Sequence, residues 1–123
     1  MSALNIMVVD DSGITGKKLS KMLEGLGHSV VHISKTGKDA VDNYGTVKPD
    51  LVTMDITMPD MDGIEATRLI MAEHDNPLIV MVTSHGQEQM VMDAIDAGAK
   101  GYVLKPVKVE KLQESIEKAV ANR

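Results

Sequence analysis

The chain of 123 residues contains no cysteine, no tryptophan and no phenylalanine, and it has two tyrosines. The absence of cysteine excludes disulfide bonds and thiolate metal ligands, so a metal site here has to use oxygen or nitrogen ligands. It also fits a protein of the reducing cytoplasm, and we expect that location. Ten methionines are present instead of the missing aromatic residues, which predicts a core of flexible aliphatic side chains.

Long apolar runs and dense basic clusters are missing as well. No run approaches the roughly 18 apolar residues of a membrane span, and no charged start precedes a signal-peptide core. Acidic residues outnumber basic ones by 18 to 13, which gives a net charge of −5, and the lysines are mostly dispersed. Because nucleic-acid binding relies on dense Lys and Arg, we expect neither a membrane nor a nucleic acid as partner.

Short apolar runs without polar alternation are typical of strands buried on both faces of a parallel sheet. Five such runs alternate with five segments of helical periodicity, which predicts one doubly wound α/β domain over residues 1–123. No linker, repeat or low-complexity tract interrupts the pattern, and we expect a monomer without an output domain on this chain. The expected strands are residues 6–9, 28–33, 51–54, 78–82 and 102–104.

Apolar residues spaced three and four apart define the inner faces of the expected helices. The third helix is expected from Gly63 to about Asp75, with Ala66, Leu69 and Ile70 facing inward. The inner faces of the other four are Leu19, Met22, Leu23 and Leu26; Gly37, Ala40, Val41 and Tyr44; Val91, Ala94, Ile95 and Gly98; and Val109, Leu112, Ile116 and Val120.

Charged and hydroxyl side chains follow four of the strands at the point where each run ends. They are Asp10 and Asp11 after the first run, Asp55 after the third, Thr83 after the fourth and Lys105 after the fifth. Ligands of open α/β sheets bind at the carboxyl ends of the strands, so we expect these side chains to meet there. Three carboxylates, a hydroxyl and an ammonium are suited to a divalent cation and a phosphoryl group.

Each of these residues taken alone also has a purely structural interpretation. One aspartate of the pair could cap the next helix, although Ser12 could do so too. Thr83 could be an ordinary β-branched strand residue, and Lys105 a loop lysine. Asp55 is different in that an ionised carboxylate can attack phosphorus without a general base, provided that its charge is relieved. It is the joint placement that favours a phosphoryl site.

Five short motifs run through the chain: VDDS at 9–12, DLVTMD at 50–55, MPDMDG at 58–63, AGA at 97–99 and KP at 105–106. Together they resemble the receiver domain of two-component response regulators, and most closely the stand-alone chemotaxis regulators of the CheY type. The resemblance covers residues 6 to about 120. It implies a flavodoxin-like fold, with a five-stranded parallel sheet of order 2-1-3-4-5 flanked by five helices, which is the strand order of CheY itself.

The resemblance also implies roles for the residues at the strand ends. Asp55 would be the phosphoacceptor. Asp11, Asp55 and the backbone carbonyl of Thr57 would bind Mg²⁺, or Mn²⁺ in its place, with Asp10 acting mainly through a water. Lys105 would pair with the phosphoryl group.

A switch is implied at the last two strands. Thr83 would hydrogen-bond the phosphoryl group and Tyr102 would swing inward behind it, although Tyr102 could also be a half-buried strand residue without that role. The peptide bond between Lys105 and Pro106 would be cis. The switched surface would comprise the helix near 89–97, the strand at Tyr102 and the helix from about Val109.

In functional terms, the resemblance implies a phosphorylation-activated response regulator in chemotaxis and flagellar motor control. Its partners would be a histidine kinase of the chemotaxis type, a motor switch protein or other output protein, and a phosphatase. It would catalyse its own phosphorylation and dephosphorylation without being an enzyme in the usual sense.

Three alternatives remain open at this stage. A phosphorelay intermediate shares all these residues and differs in its partners. A phosphorylation-independent interaction module would not need the intact acidic set. A phosphatase of the haloacid dehalogenase type also uses an Asp nucleophile with Mg²⁺, but it requires a second acid where this chain has Thr57.

The chain departs from the family pattern at a few positions near the expected site. Gly13 and Gly16 lie in the first turns of the first helix, where each glycine costs about 1 kcal/mol relative to alanine. Ser84 stands where the family often has alanine. Thr57 and His85 are at variable positions, and His85 could be a surface residue or could control access of water.

Overall fold

In the computed structural model, which describes residues 3–123, five parallel strands alternate with five helices. The strands form one sheet of order β2-β1-β3-β4-β5, as the resemblance implied. The elements are β1 (Asn5–Val9), α1 (Gly13–Gly25), β2 (Ser29–Ser34), α2 (Gly37–Val47), β3 (Leu51–Met54), α3 (Gly63–Glu73), β4 (Ile79–Thr83), α4 (Glu88–Ala97), β5 (Gly101–Leu104) and α5 (Val109–Ala121).

The three inner strands are the apolar runs without polar alternation. Every residue of β3 and β4 is buried, and so are the last four residues of β1. The edge strands β2 and β5 are only partly buried, because each lacks a neighbour on one side. The sheet therefore confirms the doubly wound architecture expected from the sequence.

Helices cover both faces of the sheet, and alternate strand residues belong to two separate cores. Met7 and Val9 of β1 face the side of α2, α3 and α4, whereas Ile6 and Val8 face the side of α1 and α5. Three fully buried methionines belong to the first core, as the composition predicts: Met7, Met54 and Met81.

Polar side chains cap the first turns of three helices. The side chains of Ser12, Thr36 and Asp62 accept hydrogen bonds from backbone N–H groups of the helices α1, α2 and α3 that follow them. Asp62, directly before Gly63, is therefore the N-cap of α3. Because Ser12 caps α1, the two preceding aspartates are not required for that purpose.

The inner faces expected for α4 and α5 were partly wrong. In α4 the buried residues are Ala94 and Ala97, while Ile95 is 57% exposed. This helix contacts the core through these alanines and the partly buried Met90. Gly98 is the C-cap with φ of 116°, a conformation that favours glycine. In α5, Val109 is 38% exposed because it is the first residue of the helix.

Strand β2 begins one residue later than expected, at Ser29 instead of His28. The backbone N–H of His28 donates to the carbonyl of Leu23 in α1, so this residue closes the end of the helix and does not enter the sheet. Among the described residues, no helix is both long and apolar enough to cross a membrane.

Candidate functional site

The register of the sheet brings two of the predicted aspartates side by side. Val9 at the end of β1 pairs with Met54 at the end of β3, so Asp10 and Asp55 leave the sheet at the same level. Their carboxylates and that of Asp11 each offer an oxygen, and these oxygens all lie within 4.8 Å of one another. Asp10 and Asp55 are buried, and Asp11 is exposed.

Lys105 reaches this acidic cluster from β5. Its Nζ lies 2.8 Å from Oδ2 of Asp10 and 3.6 Å from Oδ1 of Asp55, and its side chain is 18% exposed. The backbone N–H of Lys105 donates to the carbonyl of Thr83, which fixes the start of the loop. The following peptide bond to Pro106 is cis, as the resemblance implied.

Asp10 uses both of its carboxylate oxygens in contacts within the protein. Oδ1 accepts a hydrogen bond of 2.9 Å from the backbone N–H of Ser12, and Oδ2 accepts one from Lys105. The two aspartates of the pair are thus not equivalent, because Asp10 is tied to Lys105 and Ser12 while Asp11 lies at the surface.

The electrostatics of the cluster centre on Asp55. Burial raises the pKa of its carboxyl group to about 6; the ammonium of Lys105 opposes this shift, and the charges of Asp10 and Asp11 add to it. Three converging carboxylates with one ammonium leave an excess of negative charge. Mg²⁺ prefers oxygen ligands and carboxylates above all, so this donor set fits such a cation.

A cavity of about 240 Å³ opens beside Asp55. It is lined by Asp55, Thr57, Thr83, Ser84, His85 and Lys105. Four of the predicted site residues thus line one cavity, namely Asp55, Thr57, Thr83 and Lys105. Asp10 and Asp11 lie beside Asp55, and Tyr102 is not among the lining residues. Thr83 is completely buried, whereas Thr57 and Ser84 are exposed.

Tyr102 is connected to Thr83 through the backbone of His85. The hydroxyl of Thr83 accepts a hydrogen bond of 3.3 Å from the N–H of His85, and the hydroxyl of Tyr102 donates one of 2.6 Å to the carbonyl of His85. Sequence reasoning missed this connection. The first of these hydrogen bonds closes a local turn in which a Thr hydroxyl accepts from the backbone N–H two residues later. Thr commonly forms such turns, so the sequence does contain a signal for this bond.

Comparison with known proteins agrees with this geometry. The family model for the response regulator receiver domain matches residues 6–117. The chain is 40% identical over 116 residues to the chemotaxis protein CheY of Listeria monocytogenes, covering 94% of this chain and 98% of that protein. It is 41% identical over 118 residues to CheY of Bacillus subtilis, covering 96% and 98%.

A solved structure shares the fold at nearly full length. It is the crystal structure of the CheX-CheY-BeF3-Mg²⁺ complex from Borrelia burgdorferi, with 34% identity, a TM-score of 0.90, and coverage of 94% of this chain and 88% of that chain. Fold, acidic cluster and sequence similarity all point the same way. The chain belongs to the response regulator receiver domain family.

Proposed function

We propose that this receiver domain accepts a phosphoryl group on Asp55 from a histidine kinase of the chemotaxis type and then signals through its surface. The observation that carries the proposal is the strand-end carboxylate of Asp55, which faces a cavity with the ammonium of Lys105 3.6 Å away. The CheY proteins that it resembles over nearly the whole chain support the assignment to chemotaxis.

Asp11, Asp55 and the backbone carbonyl of Thr57 are proposed to hold Mg²⁺, or Mn²⁺ in its place. Asp10 would act through a water, because both of its oxygens already accept hydrogen bonds within the protein. When bound, the cation supplies charge neutralisation between the anionic donor and the acceptor. The crystal structure from Borrelia burgdorferi, which contains Mg²⁺ and BeF3, supports this assignment.

The residues of the chain provide the rest of the chemistry. An oxygen of Asp55 forms a bond to phosphorus while the bond from phosphorus to the donor breaks, and the leaving group departs through the cavity. Lys105 would neutralise a phosphoryl oxygen as a point charge, and the hydroxyl of Thr83 would donate a hydrogen bond to another. Hydrolysis by a water that enters the same cavity would return Asp55 to its free form.

The signal is proposed to leave the site through Thr83, His85 and Tyr102. Once the hydroxyl of Thr83 donates to a phosphoryl oxygen, it moves relative to the N–H of His85, and the loop that holds Tyr102 changes with it. The affected surface is formed by α4, β5 and α5. It includes a groove of about 730 Å³ along β5 and α5 that is lined by Lys100, Lys108, Lys111 and Lys118 among others.

An output protein such as a motor switch protein would bind this surface. A phosphatase is a further proposed partner, and the complex of CheX with CheY from Borrelia burgdorferi supports a partner of the CheX type.

The central test is phosphorylation by acetyl phosphate and Mg²⁺, followed by intact mass spectrometry. We expect one phosphoryl adduct on the parent protein, none after excess chelator, and none in Asp55→Asn. Asp96→Asn is the matched control, because Asp96 is an exposed carboxylate on α4 outside the cluster. An adduct that persists in Asp55→Asn would refute the acceptor assignment.

The choice of partner needs a second measurement. Transfer from a purified phosphorylated chemotaxis kinase to this chain is expected to be fast. Faster exchange with a histidine phosphotransfer protein would instead indicate a phosphorelay intermediate.

A further inference from the structure

Gly63, the first residue of α3, lies directly against the backbone of the proposed phosphoacceptor. A Cβ atom at this position would overlap the carbonyl oxygen of Asp55, and it would lie 2.8 Å from the carbonyl carbon of Asp55 and 2.9 Å from Cα of Ile56. Backbone atoms cannot yield as the end of a flexible side chain can. The start of α3 can therefore take this position only if residue 63 has no side chain.

Hydrogen bonds hold the same stretch of backbone from two sides. The N–H of Gly63 donates to the carbonyl of Ile56 at 2.8 Å, and the N–H of Asp55 donates to the carbonyl of Val9 at 2.9 Å. The backbone from Asp55 to Ile56 is thus clamped between β1 and the first residue of α3. The side chain of Ile56 is buried, which restricts this segment further.

A second glycine presses on the middle of the loop between β3 and α3. A Cβ atom at Gly37, the first residue of α2, would lie 2.8 Å from the carbonyl oxygen of Met61 and 3.1 Å from Cγ of Met61. Two helices therefore begin with glycines that contact this loop closely. The loop follows the acceptor and contains Thr57, whose carbonyl is a proposed metal ligand.

We propose that Gly63 is a positioning residue for the acceptor site, with Gly37 as its weaker counterpart. The close approach of α3 sets where the backbone of Asp55 lies, and thereby where its carboxylate stands relative to Asp11 and Lys105. The inference deepens the proposed function and rests on it. Its physical basis is that reacting groups and ligands have to be held within about 0.5 Å of their productive positions.

The test compares Gly63→Ala and Gly37→Ala with two controls. Mg²⁺ affinity is measured by calorimetry or NMR titration, phosphorylation by acetyl phosphate is measured at saturating Mg²⁺, and amide NMR spectra of the metal-free proteins report the position of residues 55–57. We expect Gly63→Ala to remain folded and to weaken Mg²⁺ binding about 10-fold, as loss of a supporting contact typically does. We expect slower phosphorylation by up to about 100-fold, and a smaller effect in Gly37→Ala.

Gly25→Ala is the first control, because a Cβ at that position would have no atom within 4 Å apart from its chain neighbours and the nearby backbone of its own helix. Ile116→Val is the second, since it removes a methyl group from the core under α5 and reduces stability without touching the loop. Both controls are expected to bind Mg²⁺ as the parent does. If Gly63 affected Mg²⁺ binding only through the stability of the fold, Ile116→Val would lose as much Mg²⁺ affinity as Gly63→Ala for the same loss of stability.

The proposal would be overturned if Gly63→Ala is folded and binds Mg²⁺ as tightly as Gly25→Ala does. If Gly63→Ala does not fold, Gly37→Ala decides alone, and unchanged Mg²⁺ affinity and unchanged amide shifts at residues 55–57 would overturn it. Mg²⁺ affinity does not depend on phosphoryl transfer. A parent protein that binds Mg²⁺ but accepts no phosphoryl group would therefore refute the proposed function and leave the positioning result standing.

Discussion

At the scale of single residues, burial separates side chains that the sequence makes look alike. Asp10 and Asp11 are adjacent and chemically identical, yet Asp10 is 2% exposed and paired with Lys105, while Asp11 lies at the surface. The sequence predicted that both would stand at a strand end, because an apolar run stops there. It could not predict which aspartate would pair with the lysine, since that depends on where the fold places a side chain 95 positions away in the sequence.

His28 gives the chain a predicted pH dependence of stability. Burial lowers the pKa of this side chain, whose Nδ1 accepts a hydrogen bond of 3.0 Å from the N–H of Leu4. The unfolded chain binds a proton below about pH 6.5, and the folded chain does so only at lower pH. The contribution of His28 to the free energy of unfolding should therefore decrease as pH falls below about 6.5. Urea unfolding at about pH 7.5 and pH 5.5 measures this change.

The variant His28→Gln isolates this effect, because Gln can accept the same hydrogen bond and does not titrate. Asp55 acts in the opposite direction: burial raises its pKa to about 6, so its contribution to stability increases as pH falls through that value. That contribution is present in both proteins and cancels in the comparison. His28→Gln should lose less stability than the parent between the two pH values, and an equal loss would show that His28 is not responsible.

At the scale of elements, periodicity predicted that α4 and α5 exist but was less reliable for the faces that they bury. Leu112 and Ile116 of α5 are fully buried as expected, because their spacing matches one face of a long amphipathic helix. In α4 the residue with the greatest hydrophobicity, Ile95, is exposed, and the core is contacted by two buried alanines and the partly buried Met90. Periodicity counts apolar residues without regard to size, so it did not predict that alanines would occupy the buried positions of α4.

Replacing an isoleucine by alanine is expected to have a large effect on stability in α5 and a small one in α4. Ile116→Ala should reduce the free energy of unfolding by about 2 to 5 kcal/mol, because it leaves a cavity in the core of α1 and α5. Ile95→Ala, at a position 57% exposed, should change it by about 0.5 kcal/mol or less. Chemical denaturation of both variants measures the difference. A large loss in Ile95→Ala would mean that α4 buries the face first expected from the sequence.

At the scale of the whole molecule, the strand-end residues were accessible from the apolar runs of the sequence, whereas the sheet order came from the resemblance to receiver domains. Parallel strands that are buried on both faces leave little freedom, so apolar runs fix where each strand ends, and Asp55 and Lys105 follow directly. The path from the site to the surface was not accessible in the same way. It depends on the hydrogen bond from the hydroxyl of Tyr102 to the carbonyl of His85, 17 residues away, to which no local pattern in the sequence points.

That path leads to an expectation about Thr83→Ala. Asp55, Asp11 and Lys105 are unchanged in this variant, so it should still accept a phosphoryl group, but it loses the hydroxyl that accepts the N–H of His85. Coupling between two sites is typically about 1 to 3 kcal/mol, so the gain in partner affinity on activation should shrink by about 5-fold to 150-fold. NMR of the tyrosine ring, with and without beryllofluoride and Mg²⁺, follows Tyr102 directly.

The chain has only one other tyrosine, Tyr44, which packs against His74 with ring centroids 4.5 Å apart and does not line the cavity beside Asp55. Tyr44→Phe therefore assigns the ring signals and serves as a control that should leave activation intact. In the parent protein, beryllofluoride should shift the signal of Tyr102, because its hydrogen bond to the carbonyl of His85 changes, and in Thr83→Ala this shift should largely disappear. The switch would lie in another part of the molecule if the Tyr102 signal of the parent did not change on activation and partner binding were undiminished in Thr83→Ala.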